Sequence, residues 1–266
     1  MNGTSVPGRW VMHWDEVEVF DANASSLGIA ETDLMKAAGE ALAEEVAKRS
    51  VEGAVLFLCG PGNNGGDGFV AACSASLAGR RVSVLSSHTE SKTPTSSIAR
   101  ETASAEFPIH VWPERPDGDW DLIVDCLLGA GGPGDGTELR PPIREVATWA
   151  SSTGLPVISC DIPTGLGGPD SMQPVCTVTF HSPKMGMSES SCGDIVVSDL
   201  PWPTEVRNCG VGDSRRYPPI ESEARKGDRG RLLVVGGGPY HGAPLLSGMA
   251  AARSGCDLVH VAMPAR

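Results

Sequence analysis

Short apolar runs that alternate with helix-like stretches constrain the fold of this 266-residue chain more than any other feature. The predicted strands cover residues 54–59, 81–85, 109–111, 122–125 and 157–160, and the predicted helices cover 15–27, 34–46, 69–77, 96–106 and 142–150. Strands without polar alternation, separated by helices, are typical of a parallel sheet covered on both faces. The sequence therefore predicts a doubly wound, mostly parallel α/β fold with three Rossmann-like layers. Two later strands, 176–180 and 195–198, are expected to extend the sheet at its edge.

A change in composition divides the chain into parts. Residues 201–230 are rich in proline, glycine and charge and lack periodicity, which is typical of a linker. A strand at 231–235, a helix at 243–253 and a strand at 257–262 follow, and one such β-α-β unit is too small to form its own core. We predict a domain at 1–200, a linker at 201–230 and the start of an incomplete second domain at 231–266.

The charge balance and the cysteines exclude several classes of function. Lys and Arg number 21 against 33 Asp and Glu, giving a formal net charge of −12, which disfavours a nucleic-acid partner. The eight cysteines show no metal-ligand spacing, and three of them end apolar runs, as buried thiols do. No secretory signal or membrane-spanning run is visible in the sequence. These features predict a cytoplasmic protein with no membrane contact.

A glycine-rich segment, GPGNNGGDG, follows the first predicted strand at Gly60–Gly68. Its spacing formally matches the dinucleotide fingerprint, but no acidic residue ends the next strand to bind a ribose. Asp67 stands where a phosphate-binding Walker loop requires lysine. The glycines permit close backbone approach to a ligand and could form a phosphate-binding nest, whereas a simple turn would need fewer of them.

Two further loops begin with an acid at a strand end, DCLLGAGGPGDG at 125–136 and DIPTG at 161–165. Because parallel strands present their carboxyl ends at one edge, Asn64, Asp125, Asp161 and Thr164 are expected on one rim. Two carboxylates, an amide and a hydroxyl suit a hard cation or a polyol better than zinc. Taken singly, each acid could equally form a turn or cap a helix.

These three loops resemble the signature loops of NAD(P)H-hydrate epimerases, the YjeF N-terminal family. LMKAAGEALAEEV, TVTFHSPKMGM and GDIVVSDL are similar to its first helices and closing strands, so the resemblance covers roughly residues 12–201. Residues 226–255 resemble the opening of a ribokinase-like, ADP-dependent NAD(P)H-hydrate dehydratase. The two are often fused in this order, so the resemblance implies part of a bifunctional enzyme, without dehydratase activity or bound ADP or ATP in this chain alone.

The resemblance implies a set of site residues. Substrate contacts fall on Asn63, Asn64, Gly65, Gly66, Asp67, Gly129, Ala130, Gly131, Gly132, Pro133, Gly134, Asp135 and Asp161, and the ligands of one potassium ion (K+) fall on Asn64, Asp125 and Thr164. The family usually has an acid where Lys36 stands and serine where Thr164 stands. A homodimer is a further option that the family leaves open.

The implied substrates are NADHX and NADPHX, the forms of NADH and NADPH that are hydrated at C6 of the nicotinamide ring. Epimerisation requires an acid that protonates the C6 hydroxyl and a carboxylate that stabilises the resulting cation and activates water. Asp161 is the first candidate for this acid/base role and Asp67 the second. The alternative function is a non-catalytic module for binding or dimerisation, as in relatives of the fold whose site residues are degraded.

Overall fold

Seven parallel strands form the centre of the first of two units into which the chain divides, Met1–Arg216 and Tyr217–Arg266. The computed structural model describes residues 10–49, 53–130, 136, 138–217 and 222–265. The strands are β1 Ala54–Cys59, β2 Arg81–Ser86, β3 Ile109–Val111, β4 Leu122–Cys126, β5 Val157–Cys160, β6 Cys176–Phe180 and β7 Asp194–Ser198. Their order, β3-β2-β1-β4-β5-β6-β7, confirms the predicted doubly wound sheet, with β6 and β7 extending one edge.

Helices cover both faces of this sheet. They are α1 Trp14–Ser26, α2 Glu31–Arg49, α3 Asn63–Leu77, α4 Pro94–Glu106, α5 Ile143–Ser152 and the short α6 Glu189–Cys192. Alternate residues of β1 belong to two hydrophobic cores on opposite faces of the sheet. Val55 and Phe57 pack towards α2, α3 and α4, whereas Leu56 and Leu58 pack towards α5. Because both faces of β1 are buried, the strand is apolar throughout.

Helix α3 begins at Asn63, six residues before the predicted start, so the predicted boundary at residue 69 is wrong. Much of the glycine-rich segment is therefore helical. Close packing explains its composition, because a Cβ at Gly65 would lie 1.9 Å from the Gly60 carbonyl oxygen and one at Gly66 would lie 2.4 Å from Met35 Cε. Tertiary packing here outweighs the low helix propensity of glycine.

The residues after β7 form a structured part of the first unit up to Arg216. Two 3₁₀ helices, Thr204–Arg207 and Val211–Arg216, lie within the segment at 201–230 that is predicted to be a linker. The Asn23 side chain on α1 joins both, donating to the Val206 carbonyl at 3.3 Å and accepting from Gly212 N at 2.7 Å. This segment consequently packs on α1.

The second unit contains a parallel pair of strands and one helix: β8 Arg231–Val235, α7 Gly242–Arg253 and β9 Leu258–Ala262. Leu233, Val235 and Leu246 are exposed in this unit. Across the part of the chain that the structure describes, no helix is both long and apolar enough to cross a membrane.

Candidate active site

A cavity of about 400 Å³ opens at the carboxyl ends of β1, β4, β5 and β6. Successive strands are added on one side of β1 up to β3 and on its other side from β4 onward, so the strand order reverses between the parallel strands β1 and β4, which is where open α/β sheets bind ligands. The cavity walls come from α1, α2, the start of α3 and the residues that follow β4, β5, β6 and β7. Loops from strands distant in sequence are thereby brought to one site.

A buried ion pair lies at the centre of the polar wall. Asp161 Oδ1 lies 2.6 Å from Lys184 Nζ, and Asp161 Oδ2 accepts a hydrogen bond from Ala130 N at 2.8 Å. Lys184 Nζ also donates to Thr179 Oγ1 and to the Phe180 carbonyl oxygen, each at 2.9 Å. Charge-assisted contacts thus fix the Asp161 carboxylate at both oxygens.

Asp161 takes a backbone conformation that is uncommon outside glycine, with φ of 64°. Its backbone N–H donates to the Val178 carbonyl oxygen at 2.7 Å, so the residue is tied to β6 directly after leaving β5. Strained backbone of this kind persists where the surrounding structure over-determines it, often at functional sites. The conformation directs the carboxylate to Lys184 and to the turn after β4.

Further carboxyl groups line the cavity beside this pair: Glu18 and Asp21 on α1, Glu31 on α2 and Asp67 on α3. Burial, together with the nearby charges of Asp161 and Glu31, raises the pKa of Asp21 to about 7. Burial also raises the pKa of Asp67 well above its usual value, with Asp161 and Asp21 adding to the effect. The site therefore places the Asp161 carboxylate beside two acids, Asp21 and Asp67, whose raised pKa favours the protonated form.

Asp125 lies fully buried beneath the cavity at the end of β4. Its carboxylate accepts hydrogen bonds from Thr164 Oγ1 at 2.7 Å, Thr164 N at 2.9 Å, Ser159 Oγ at 2.9 Å and Leu127 N at 3.2 Å. Burial raises the pKa of Asp125, and these hydrogen bonds oppose that rise. The network ties the loops after β4 and β5 together.

The Asn64 side chain is buried, and neither its amide oxygen nor its nitrogen has a hydrogen-bond partner in the described structure. It lies against Gly129, where an added Cβ would stand 3.0 Å from Asn64 Oδ1. One residue earlier, Leu128 N donates to Thr164 Oγ1 at 3.0 Å. The three predicted potassium ligands are thus gathered around residues 127–129, and an unpaired buried amide oxygen suits a cation.

This donor set differs from that of a transition-metal site. Among the described residues, no group of three or more His, Cys, Asp or Glu side chains is placed to hold a metal ion. Amide, hydroxyl and carboxylate oxygens are the ligands that hard cations prefer. The residues present consequently fit an alkali cation.

The structure places the other predicted site residues in three ways. Asn63, Asn64, Asp67, Gly129, Ala130 and Asp161 line the cavity. Gly65 and Gly66 are buried against protein atoms and do not line it. Gly131, Gly132, Pro133, Gly134 and Asp135 lie outside the described residues. Lys36 does not line the cavity either; its exposed side chain lies 3.9 Å from Glu40 on the same helix.

Several cavity residues were not predicted from the sequence, among them Asp21, Glu31, His181, Lys184 and Trp202. Lys184 follows β6 within the stretch that carries the family resemblance, so a basic residue beside a strand end was an available signal. Asp21 falls on the same helical face as apolar neighbours, which was a second signal. Trp202 stacks on the His181 ring with 3.2 Å between centroids, a contact without a local pattern in the sequence.

Comparison with known protein families agrees with this geometry. The family model for the YjeF-related protein N-terminus matches residues 31–186. The chain belongs to this family. Members of the YjeF-related family thus share the region that holds Asn64, Asp125, Asp161 and Lys184.

Curated relatives extend the similarity over most of the chain. Bifunctional NAD(P)H-hydrate repair enzymes from Archaeoglobus fulgidus and Escherichia coli are 37% and 32% identical to it over 94% and 98% of its length. The chain covers 54% of each relative and thus spans about half their length. The crystal structure of yeast ynu0, YNL200c, matches 81% of this chain and 97% of its own with a TM-score of 0.64 at 20% identity, which shows the shared fold.

Proposed function

We propose that this chain interconverts the R and S forms of hydrated NADH and NADPH at C6 of the nicotinamide ring, which would supply a dehydratase with the epimer that it repairs. Membership of the YjeF-related family and the names of the relatives, NAD(P)H-hydrate repair enzymes, support this proposal. The observation that carries it is the Asp161–Lys184 pair, which fixes an anion in a cavity at the switch point of the sheet.

Epimerisation at C6 requires this carbon to become planar and then to regain its hydroxyl from the other side. The ring nitrogen supplies the electron pair as the protonated hydroxyl leaves as water, and a ring cation results. A carboxylate in a water-poor cavity stabilises such a cation strongly. Asp161 is suited to this task because Lys184 and Ala130 N orient its two carboxylate oxygens.

The cavity also presents carboxyl oxygens that suit a cationic ring, even where burial favours the protonated form. Its walls carry more carboxyl than basic side chains, and the carboxyls belong to Glu18, Asp21, Glu31, Asp67 and Asp161. The diphosphate of the substrate needs a different environment. Gly62 caps α3 without a side-chain hydrogen bond, and the first N–H groups of a helix are suited to bind phosphate.

Asn64 Oδ1, Thr164 Oγ1 and the Asp125 carboxylate would hold potassium. The ion would supply a fixed positive charge between the ends of β1, β4 and β5, where burial disfavours the Asp125 carboxylate. The Asp125 side chain itself positions Thr164 through two hydrogen bonds. In this way the residues below the cavity would keep the turn at residues 127–130 in place.

The proposal covers the epimerisation alone and not the activity of a whole repair enzyme, since the chain spans about half the length of each relative. Dehydration of the S hydrate with ADP or ATP is not expected from this chain. A cytoplasmic location and a homodimer remain predictions from the sequence.

A coupled assay tests the proposed function. The purified chain is mixed with (R)-hydrated NADH and a dehydratase that acts on the S form, and loss of the R form is followed. We expect acceleration with the wild type, and with hydrated NADPH as well. Lys184→Met, which removes the partner of Asp161, should weaken this acceleration, whereas Lys36→Met, an exposed change outside the cavity, is its matched control and should keep it. Absence of acceleration by the wild type would favour a non-catalytic binding module.

A further inference from the structure

Asp21 is an acidic residue of the cavity that lies outside the matched family region. It belongs to α1, and its side chain lines the cavity together with Asp161 and Lys184. Its carboxyl forms no hydrogen bond or salt bridge with any other residue that the structure describes. A half-buried acid of a cavity that has no hydrogen-bond partner is available to a ligand.

Three other acids of the cavity already have protein partners. Asp161 uses one oxygen for Lys184 and the other for Ala130 N. Glu31 accepts a hydrogen bond from Thr95 Oγ1 at 3.1 Å, and Glu18 pairs with Arg215 at 2.7 Å. Because these three side chains already have protein partners, their oxygens are less available to a substrate hydroxyl.

The surroundings of Asp21 favour a proton on its carboxyl. The charged and titratable groups that share the cavity with it are Glu18 on α1, Glu31 on α2, Asp67 on α3, Asp161 after β5, and His181 and Lys184 after β6. Burial comes first among the causes that raise its pKa to about 7, the carboxylates add to it, and Lys184 opposes it. Near neutral pH such a group can both give up a proton and take one back.

We propose that Asp21 is the acid that protonates the C6 hydroxyl of the hydrated ring, while Asp161 remains the anion that faces the ring cation. This inference rests on the proposed function. As the C6–O bond breaks, its electron pair stays on oxygen, the Asp21 proton joins that oxygen, and water is released. The lone pair of N1 forms the N1–C6 double bond of the cation.

The return step restores every group. A water molecule adds its oxygen to C6 from the other side, the N1–C6 double bond becomes a lone pair on N1, and the water proton passes to Asp21. No oxidant, reductant or second substrate is consumed. Asp67 is the competing donor, since it also lines the cavity and its pKa is raised.

The test compares the pH dependence of kcat/KM for the wild type, Asp21→Asn, Asp21→Glu and Asp67→Asn, with S hydrate formation from pure R hydrate as the readout. For the wild type we expect kcat/KM to fall as the pH rises through about 7, where Asp21 loses its proton. Asp21→Asn should lower kcat about 10²- to 10⁴-fold and abolish that fall. Asp21→Glu keeps an acid at this position and should retain the fall.

Asp33→Asn, at an exposed acid of α2, is the matched control and should behave as the wild type. Asp21→Asn that remains folded, with kcat within tenfold of the wild type and an unchanged pH profile, would overturn the inference. The inference would also be overturned if Asp67→Asn removed the fall of kcat/KM at alkaline pH while Asp21→Asn kept it. A wild type that forms no S hydrate refutes the proposed function itself and the inference with it.

Discussion

Replacing Lys184 by methionine would expose how strongly the Asp161–Lys184 pair holds the cavity together. The Lys184 side chain is 2% exposed and the Asp161 side chain 13% exposed, and Lys184 Nζ lies 2.6 Å from Asp161 Oδ1. Removing one member of a buried pair typically costs about 3–5 kcal/mol, because the remaining charge is left without its partner. We expect a loss of this size in the free energy of unfolding.

A double-mutant cycle separates the pair from its surroundings. In Lys184→Met combined with Asp161→Asn, the unpaired anion is gone, so part of the lost stability should return. We expect a coupling free energy of about 1–3 kcal/mol between the two positions. Lys36→Met is the control, since its side chain is 69% exposed, and it should change stability by no more than about 0.5 kcal/mol.

Urea unfolding followed by tryptophan fluorescence measures these free energies. All six tryptophans stand between positions 10 and 202, so the signal reports the first unit and not the second. This matters because two units need not unfold as one transition. If Lys184→Met costs no more than Lys36→Met, or if the coupling energy is zero, the pair does not stabilise the site.

Three further predictions concern the cavity. Asp161→Asn should lower turnover at saturating hydrate at least about 10²-fold, and a fall under tenfold would leave Asp161 as a substrate contact. The Tm of the wild type should be higher in potassium chloride than in choline chloride, because a ligand that binds only the folded state stabilises that state. Asn64→Ala should abolish this difference in Tm, whereas Asn63→Ala, which changes an exposed side chain, should keep it. Because the pKa of Asp21 is raised from 3.8 to about 7, its contribution to folding is complete below pH 3.8 and is lost as the pH rises through 7. Wild-type stability, measured by urea unfolding, should therefore fall relative to that of Asp21→Asn by on the order of 2 kcal/mol between pH 5 and pH 8, and equal pH dependence of the two proteins would contradict the burial of this acid.

The sheet was predictable because its strands are buried on both faces. Uninterrupted apolar runs such as that of β1 are typical of strands in the middle of a covered sheet, and a helix between two successive strands allows them to lie parallel. The start of α3 was not predictable in the same way. Gly65 and Gly66 weaken local helix propensity, and the close approach of the Gly60 carbonyl oxygen and the Met35 side chain, which leaves no room for a Cβ, appears only in the folded chain.

One of the two residues of the central ion pair, Asp161, was predicted from the sequence, and Lys184 was not. Asp161 stands directly after a buried strand, so its place at the rim of the sheet was expected. Lys184 reaches it because β5 and β6 are neighbours and because Asp161 and His181 take positive φ values. Strand order and backbone conformation of this kind leave little trace in local sequence.

Asp21 and Trp202 line the cavity because α1 packs against a segment that is far from it in sequence. Trp202 lies in a segment whose composition indicates a linker, yet Asn23 hydrogen bonds and the Phe20 ring hold that segment on α1. Charged and proline-rich stretches can be ordered when one helix supplies both polar and apolar partners. The composition of the segment alone does not reveal those partners.

Oxygen exchange at C6 is the most direct measurement of the proposed chemistry. Pure (R)-hydrated NADH is incubated with the enzyme in water enriched in oxygen-18 and, in a parallel sample, in deuterium oxide, and the isotope content of the isolated S epimer is measured by mass spectrometry. Loss and return of the hydroxyl predict that each S molecule carries one oxygen from the solvent and retains its original hydrogen at C6. Formation of the S epimer with its original oxygen, or with a solvent hydrogen at C6, would contradict the ring-cation mechanism.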